Sequence, residues 1–414
     1  MQQYSHMTPQ SSPSGGDALG TYMQTLRQCN HTVTTWRRTA EQYGYEDCGL
    51  PLSSPQDPQH RHTIWSAIEQ QTLTRPIRLY AASQCSYVQP TCNEWCRDWR
   101  FQADIIGAAT PRAEQELITM ALAMLEASGI ARQQCTIVLN NRMALGRILR
   151  QYIGLSTVQL QLIMKLIDSK PRLAVEDCLE KAYGIVSDID GAAKKLQQLW
   201  SATAVQQLPP ELQMLPELRQ LHDIAVQLQT QLQLPVQFSA SMMQGAGRYM
   251  GMVFELRTTQ GVVVASGGRY ENVIASIDVP PAVTMQLDTA TLQSVARTAV
   301  SLPSGIDVAM VVVQDTAMPA AIALADILRR EGVRVEIDIM NPAVEQQVAT
   351  AMHRQALFIV FVGEEDIAQG IYTLRAMADK TEARLSAERI VTKVMDYRHT
   401  VQHDDDDEFL FSFE

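Results

Sequence analysis

Residues 247–273, GRYMGMVFELRTTQGVVVASGGRYENV, carry two apolar, strand-forming runs joined by Thr-Thr-Gln-Gly. Runs of this type around a short turn that ends in glycine form a β-hairpin, which commits this part of the chain to antiparallel sheet. The clusters flanking the hairpin, Gly247-Arg248-Tyr249 and Gly267-Gly268-Arg269-Tyr270, raise the question of a small-molecule site. A double glycine lets backbone approach a ligand closely, but it equally marks a bulge or tight bend. Arg269 can grip a carboxylate or phosphate with two parallel bonds, and Tyr270 beside it can hydrogen-bond or stack. The same arginine can instead pair with Glu255 on the partner strand, a purely structural use.

Residues 1–20 are rich in Ser, Pro and Gly and read as a flexible polar arm. From 21 the spacing of Leu26, Val33, Trp36, Ala40 and Tyr43 predicts an amphipathic helix ending at Gly44, followed by an extended segment at 48–52. A short helix at TIWSAIEQQ precedes the strand PIRLYAA and, across the loop PTCNEWCRD, the strand WRFQADIIG. A helix opened by Pro111, a strand over 135–139 and a further helix complete a block over 21–152. Residues 153–235 read as a helical insertion of four striped segments, and strand character returns over 236–302. Between 303 and 395 strands alternate with helices, the pattern of an α/β domain whose sheet is largely buried. The tail at 396–414 ends in DDDDEFLFSFE; a disordered end is the default reading, and Phe409, Leu410, Phe411 and Phe413 can instead dock on a partner or fold back on the chain's own dimer.

Composition excludes several function classes. With 34 basic against 45 acidic residues the net charge is -11, which opposes nonspecific attraction to nucleic acid. The 7 cysteines have no framework spacing and read as reduced structural thiols of a cytoplasmic protein. Cys92 and Cys96 lack a second ligand pair, so no metal site is expected. The N-terminus has no secretory signal character and no apolar run reaches membrane-spanning length. P-loop and dinucleotide fingerprints are absent, and the histidines and cysteines form no local nucleophile motif.

The segment GMVFELRTTQGVVVASGGRYENVI closely resembles the histidine-specific hairpin of histidyl-tRNA synthetases and their noncatalytic relatives. RRTAEQYGYEDCGLPL resembles class II motif 1, residues 76–118 resemble motif 2, and residues 332–377 resemble the C-terminal anticodon-binding domain. This resemblance implies an α+β fold: a class II synthetase antiparallel sheet with a helical insertion, plus a C-terminal α/β domain. It also implies a dimer built through motif 1.

Carried over residue by residue, the family's chemistry is largely missing. Ser86 stands where the motif 2 arginine grips ATP, Val88 where an acidic residue is expected, and Arg100 where a late glutamine is expected. Gln244, Gly247 and Arg248 replace an arginine, an aspartate and a tyrosine of the histidine-specific segment, whereas Tyr249 survives. Thr284 and Asp288 replace small glycines of motif 3, and Thr291 replaces its ATP-binding arginine. A loop holding the substrate amino group has no counterpart between Pro51 and Pro76.

No catalytic residue and no cofactor is therefore expected. The weak ligand-binding candidates are Tyr249, Glu255, Gly267, Gly268, Arg269 and Tyr270. The expected role is a regulatory or assembly subunit, first of all of ATP phosphoribosyltransferase in histidine biosynthesis, with tRNA not a partner. A scaffold for another macromolecule and a divergent active ligase are the alternatives.

Overall fold

The computed structural model describes residues 18–49, 76–89, 94–169, 175–242, 249–270, 281–295, 305–340 and 342–410. Side chains are described for the same residues except 18–24, 86–89, 94–97, 168–169, 175–176 and 399–410. The expected helix TIWSAIEQQ, the missing loop between Pro51 and Pro76, Cys92, Gln244, Gly247, Arg248, Phe411 and Phe413 lie outside the described residues. The chain divides into two compact units, Met1–Val300 and Ser301–Glu414.

In the first unit α1 (Ala18–Gln42) leads into β1 (Glu46–Asp47), and the long strands β2 (Ile77–Gln89) and β3 (Glu94–Ile106) follow. The strand lies at Glu46–Asp47, paired in parallel with Leu79 and Tyr80, and not at the expected 48–52, of which residues 50–52 lie outside the described residues. The β2–β3 ladder runs in unbroken register from Ile77↔Ile106 to Gln89↔Glu94. It therefore takes in Glu94 to Asp98, expected from the sequence to lie in the loop PTCNEWCRD. Polar residues there hid the strand because one of its faces is polar along much of its length.

α2 (Arg112–Glu126) comes next, then β4 (Cys135–Asn141) and α3 (Arg142–Arg147), which widens into a π-helical turn ending at Gly154. The insertion forms α4 (Thr157–Ser169), α5 (Val175–Ile185), α6 (Ala192–Ser201), the single turn α7 (Pro210–Gln213) and α8 (Pro216–Leu232). All four expected striped segments are helical. Their stripes meet one core: Ile163, Cys178, Leu196, Leu199, Leu218, Leu221 and Leu228 join Leu117, Leu122, Ile137 and Leu139 in a single buried cluster.

β5 (Val236–Phe238), the hairpin strands β6 (Met252–Thr258) and β7 (Val263–Tyr270), β8 (Ala282–Asp288) and α9 (Thr289–Val295) complete the unit. The hairpin closes with the Thr258 N–H donating to the Val262 carbonyl at 2.9 Å, and Gly261 takes φ +83°. The eight-stranded sheet has the order β1-β2-β3-β8-β7-β6-β4-β5, antiparallel except at its two ends. Edge-to-face packing of Trp36 on Phe101 and stacking of Phe101 on Tyr80 seat α1 against it.

The second unit holds β9 (Val308–Val312), α10 (Met318–Arg330), β10 (Val335–Ile337), α11 (Val344–His353) and β11 (Phe358–Val362). α12 (Glu364–Gln369), β12 (Tyr372–Ala376), β13 (Glu382–Leu385) and α13 (Ala387–Leu410) follow. Its sheet, β10-β9-β11-β12-β13, is parallel over the first three strands and antiparallel over the last two. The expected strand–helix alternation holds up to β11. The β12–β13 hairpin escaped it, although apolar and polar residues alternate through both strands. The backbone of α13 continues through the acidic run at 404–407 rather than leaving a separate tail from 396.

One buried amide shapes the end of this second sheet. β10 pairs with β9 only as far as Ile337↔Met310, so Val312 has no strand beside it on that side. The Gln347 side chain takes the vacant place: its Oε1 accepts from the Val312 N–H at 2.9 Å and its Nε2 donates to the Val312 carbonyl at 3.0 Å.

Candidate functional site

Strand periodicity sorts the first sheet into two chemically different faces. Phe101, Ala103, Met285, Leu287, Phe254 and Leu256 point to the helices and are buried in the core. Alternate positions put Asp98, Arg100, Gln102 and Asp104 of β3 on the other face, beside Asp288, Gln286 and Thr284 of β8. Ser266, Gly268 and Tyr270 of β7 and Glu255 of β6 extend that face across the hairpin.

At its lower end Asp104 is 3% exposed and accepts two hydrogen bonds, from the Tyr270 hydroxyl at 3.0 Å and from Gln102 Nε2 at 2.8 Å. Opposite Asp104 across the ladder stands Thr284, whose hydroxyl is buried with no hydrogen-bond partner among the described residues. At the upper end Arg100 Nε lies 3.5 Å from Asp98 Oδ1, and Asp288 faces Arg100 across the ladder.

Burial pushes the Asp98 carboxyl up to about 6; Arg100 opposes this rise and Asp288 adds to it. A carboxyl whose folded-state pKa is raised adds stability below its unfolded value, and that contribution fades as pH rises towards the folded value. Asp98 therefore favours the fold at pH below 3.8 and loses that contribution up to about pH 6. Asp98→Asn is expected to flatten this slope in denaturant midpoints measured across the interval; an unchanged slope would refute the assignment.

The hairpin candidates prove to be engaged with the protein itself. Arg269 Nε and Nη2 donate to the two oxygens of Glu114 at 2.7 and 2.6 Å. Its Nη1 donates to the Ala108 carbonyl at 2.7 Å and Nη2 to the Thr110 carbonyl at 3.0 Å. The structural alternative of an Arg269–Glu255 pair is corrected: Glu255 points to the polar face and bonds Arg257 Nε at 2.7 Å, whereas Arg269 points to the helical face. Period-two alternation forbids their meeting, since Glu255 is opposite Ser266 and Arg269 has the opposite parity.

Gly267 and Gly268 sit in a regular ladder, and the register shift falls at Leu256/Arg257 instead. A Cβ on Gly267 would collide with the Thr284 carbonyl and the Phe254 ring, and one on Gly268 would lie 2.9 Å from the Met252 carbonyl. Each glycine thus accommodates the protein's own groups. Tyr249 is buried in a small apolar cluster with Ile106, Val138, Met242 and Val253.

Thr291 lies at the start of α9, where its N–H donates to Asp288 Oδ1 at 2.7 Å and its hydroxyl to Oδ2 at 3.0 Å. That is a helix cap between Asp288, which stands in place of a small motif 3 glycine, and Thr291, which stands in place of the ATP-binding arginine. Ser86 and Val88 lie on β2, and their side chains are outside the described residues. Glu114, Gln102, Asp104 and Asp98 are not among the candidates drawn from the sequence. For the β3 residues the signal was present, since a polar residue at every second position of a strand marks one polar face.

Residues 67–292 match the histidyl-tRNA synthetase family, and residues 307–397 match the anticodon binding domain. The chain belongs to the histidyl-tRNA synthetase family. Among curated relatives of this family member, the histidine–tRNA ligase of Leptospira biflexa is 22% identical over 90% of this chain and 95% of its own. That of Halobacterium salinarum is 27% identical over 77% of this chain and 76% of its own. The histidyl-tRNA synthetase of Nostoc sp. superposes with TM-score 0.69 at 18% identity, covering 94% of this chain and 100% of that one. A Bacillus halodurans protein, described as an ATP phosphoribosyltransferase regulatory subunit/histidyl-tRNA synthetase, superposes with TM-score 0.64 at 16% identity. It covers 87% of this chain and 99% of its own. These likenesses establish the class II synthetase fold and the C-terminal anticodon-binding domain.

Proposed function

We propose that this family member does not activate histidine and instead serves as a regulatory or assembly subunit, with a short catalytic ATP phosphoribosyltransferase as its partner. The charge on the polar face carries this reading. Among the described residues, Asp98, Asp104, Glu255 and Asp288 stand there against Arg100 and Arg257, and both guanidiniums lie beside a carboxylate of the chain. Adenylate formation builds negative charge at the α-phosphate and depends on cations aimed at it. Among these described residues carboxylates outnumber cations, and Thr291 caps a helix where the resemblance calls for an arginine.

The fold shared with the Bacillus halodurans protein, whose description includes the regulatory role, supports the choice of partner. On this reading the chain pairs with a second copy through the segment carrying α1 and β1, needs no cofactor, works in the cytoplasm and does not take tRNA as a partner. No helix among the described residues is long and apolar enough to cross a membrane.

The test is reconstitution. The purified chain and the short phosphoribosyltransferase of the same source are expected to co-elute, and the chain to change that enzyme's rate. Histidine-dependent pyrophosphate exchange is expected to be absent at saturating ATP and histidine. Exchange above background would establish an active ligase and overturn the proposal. Failure to associate would remove the phosphoribosyltransferase as partner. A second reading, a scaffold for another macromolecule, is favoured by the C-terminal unit, which keeps the anticodon-binding architecture over 307–397. A native complex lacking the phosphoribosyltransferase would select it.

A further inference from the structure

In the second unit the chain leaves β9 for β10 on one side, then crosses back to β11 on the other. At such a switch in direction the loops beyond the carboxyl ends of parallel strands diverge, and open α/β sheets bind their ligands there. Three loops meet at this end. Val313 N–H donates to the Val362 carbonyl at 3.0 Å, the Thr316 hydroxyl donates to Glu364 at 2.8 Å, and Gln347 Nε2 donates to the Pro342 carbonyl at 2.7 Å.

Two features decide what this surface can take. First, its floor is closed: the Gln347 amide already uses both backbone groups of Val312, so no N–H of that residue remains for a phosphate. Second, the three loops present exposed apolar and acidic side chains. Ile339 and Met340 are 86% and 83% exposed and Val313 is 42% exposed, while Asp315, Glu364 and Glu365 are also exposed and Asp338 is half-buried. Residues 313–317, 338–342 and 363–367 contain no lysine, arginine or histidine. Arg384 approaches from β13 and is bonded to Asp366 and Gln369.

The geometry points to this carboxyl-end surface as a docking site for a basic, aliphatic-bearing segment of a partner protein. The aliphatic side chains of that segment cover Val313, Ile339 and Met340, with methionine adapting its shape to the contact. Its lysines or arginines face Glu364, Glu365, Asp315 and Asp338. An RNA backbone meets the exposed carboxylates of Asp315, Glu364 and Glu365 here and is repelled. The inference does not depend on whether the chain activates histidine.

The test uses the full chain and two labelled synthetic peptides, an amphipathic Leu/Lys peptide and its Leu/Glu counterpart, in fluorescence anisotropy titrations. The Leu/Lys peptide is expected to bind and the Leu/Glu peptide not. Ile339→Ser with Met340→Ser, and separately Glu364→Lys with Glu365→Lys, are each expected to weaken binding by about tenfold or more. Glu180→Lys with Glu211→Lys makes the same charge change on exposed positions of the first unit and is expected to stay within about twofold. Thermal melts of each variant confirm that the fold is kept. The proposal is overturned if the Leu/Lys peptide does not bind, if the first-unit pair weakens binding as much as the Glu364/Glu365 pair, or if the serine pair leaves binding unchanged.

Discussion

Arg269→Met is expected to destabilise the first unit by about 3–5 kcal/mol, because it strands the Glu114 carboxylate inside the protein. The Glu114 side chain is 2% exposed and the Arg269 side chain 10% exposed, and four hydrogen bonds leave the one guanidinium. Breaking a buried pair from one side leaves the whole desolvation cost of the surviving charge uncompensated, whereas removing both charges does not. The double variant Arg269→Met with Glu114→Leu is therefore expected to recover most of the loss. About 1–3 kcal/mol should remain, because the Ala108 and Thr110 carbonyls still lack their donor. Urea midpoints of the two single variants and the double variant give the coupling. If Arg269 served chiefly to hold a ligand, Arg269→Met would leave the midpoint within about 0.5 kcal/mol of the parent, and the structural assignment would fail.

This clamp also shows where sequence reasoning reaches its limit. The hairpin, its turn and the helical stripes were legible because each depends on neighbours within a few residues: alternation, turn chemistry and a repeat near the helical period. The partner of Arg269 lies 155 residues away, at the start of α2, and nothing local in GGRY distinguishes a guanidinium aimed at a ligand from one aimed at a helix. Glu255 was a reasonable local candidate, and only its place on the opposite face of the sheet removes it. The polar face itself was readable in part. Asp98, Arg100, Gln102 and Asp104 alternate on β3, but that pattern fixes a face only once β8 is known to be the next strand, and β8 lies far along the chain. The acidic balance of the assembled site is thus a tertiary property, whereas the replacement of individual arginines at Ser86 and Thr291 follows from the resemblance alone.

Gly267→Ala is expected to be the most damaging single-carbon change in the sheet, at about 3 kcal/mol or more, the upper end of the cost of overpacking. Two obstacles of different kinds stand where the new Cβ would go: the backbone carbonyl of Thr284 on β8 and the ring of Phe254 on β6, whose Cε1 would be 2.8 Å away. Phe254→Leu in the same chain withdraws the ring, but the carbonyl belongs to the β7–β8 ladder and can move only if Gly267↔Met285 and its neighbours move with it. The double variant is consequently expected to stay well below the Phe254→Leu parent in stability. Gly261→Ala provides the contrast, with open space around its Cβ and only the strain of φ +83° to bear, for a loss of about 1 kcal/mol. Chemical denaturation of these variants separates the two accounts of the Gly-Gly pair. A close-packing role requires the large loss at 267. A role in admitting a ligand to an otherwise roomy strand predicts that alanine at 267 costs no more than alanine at 261, and that result would return Gly267 to the list of binding residues.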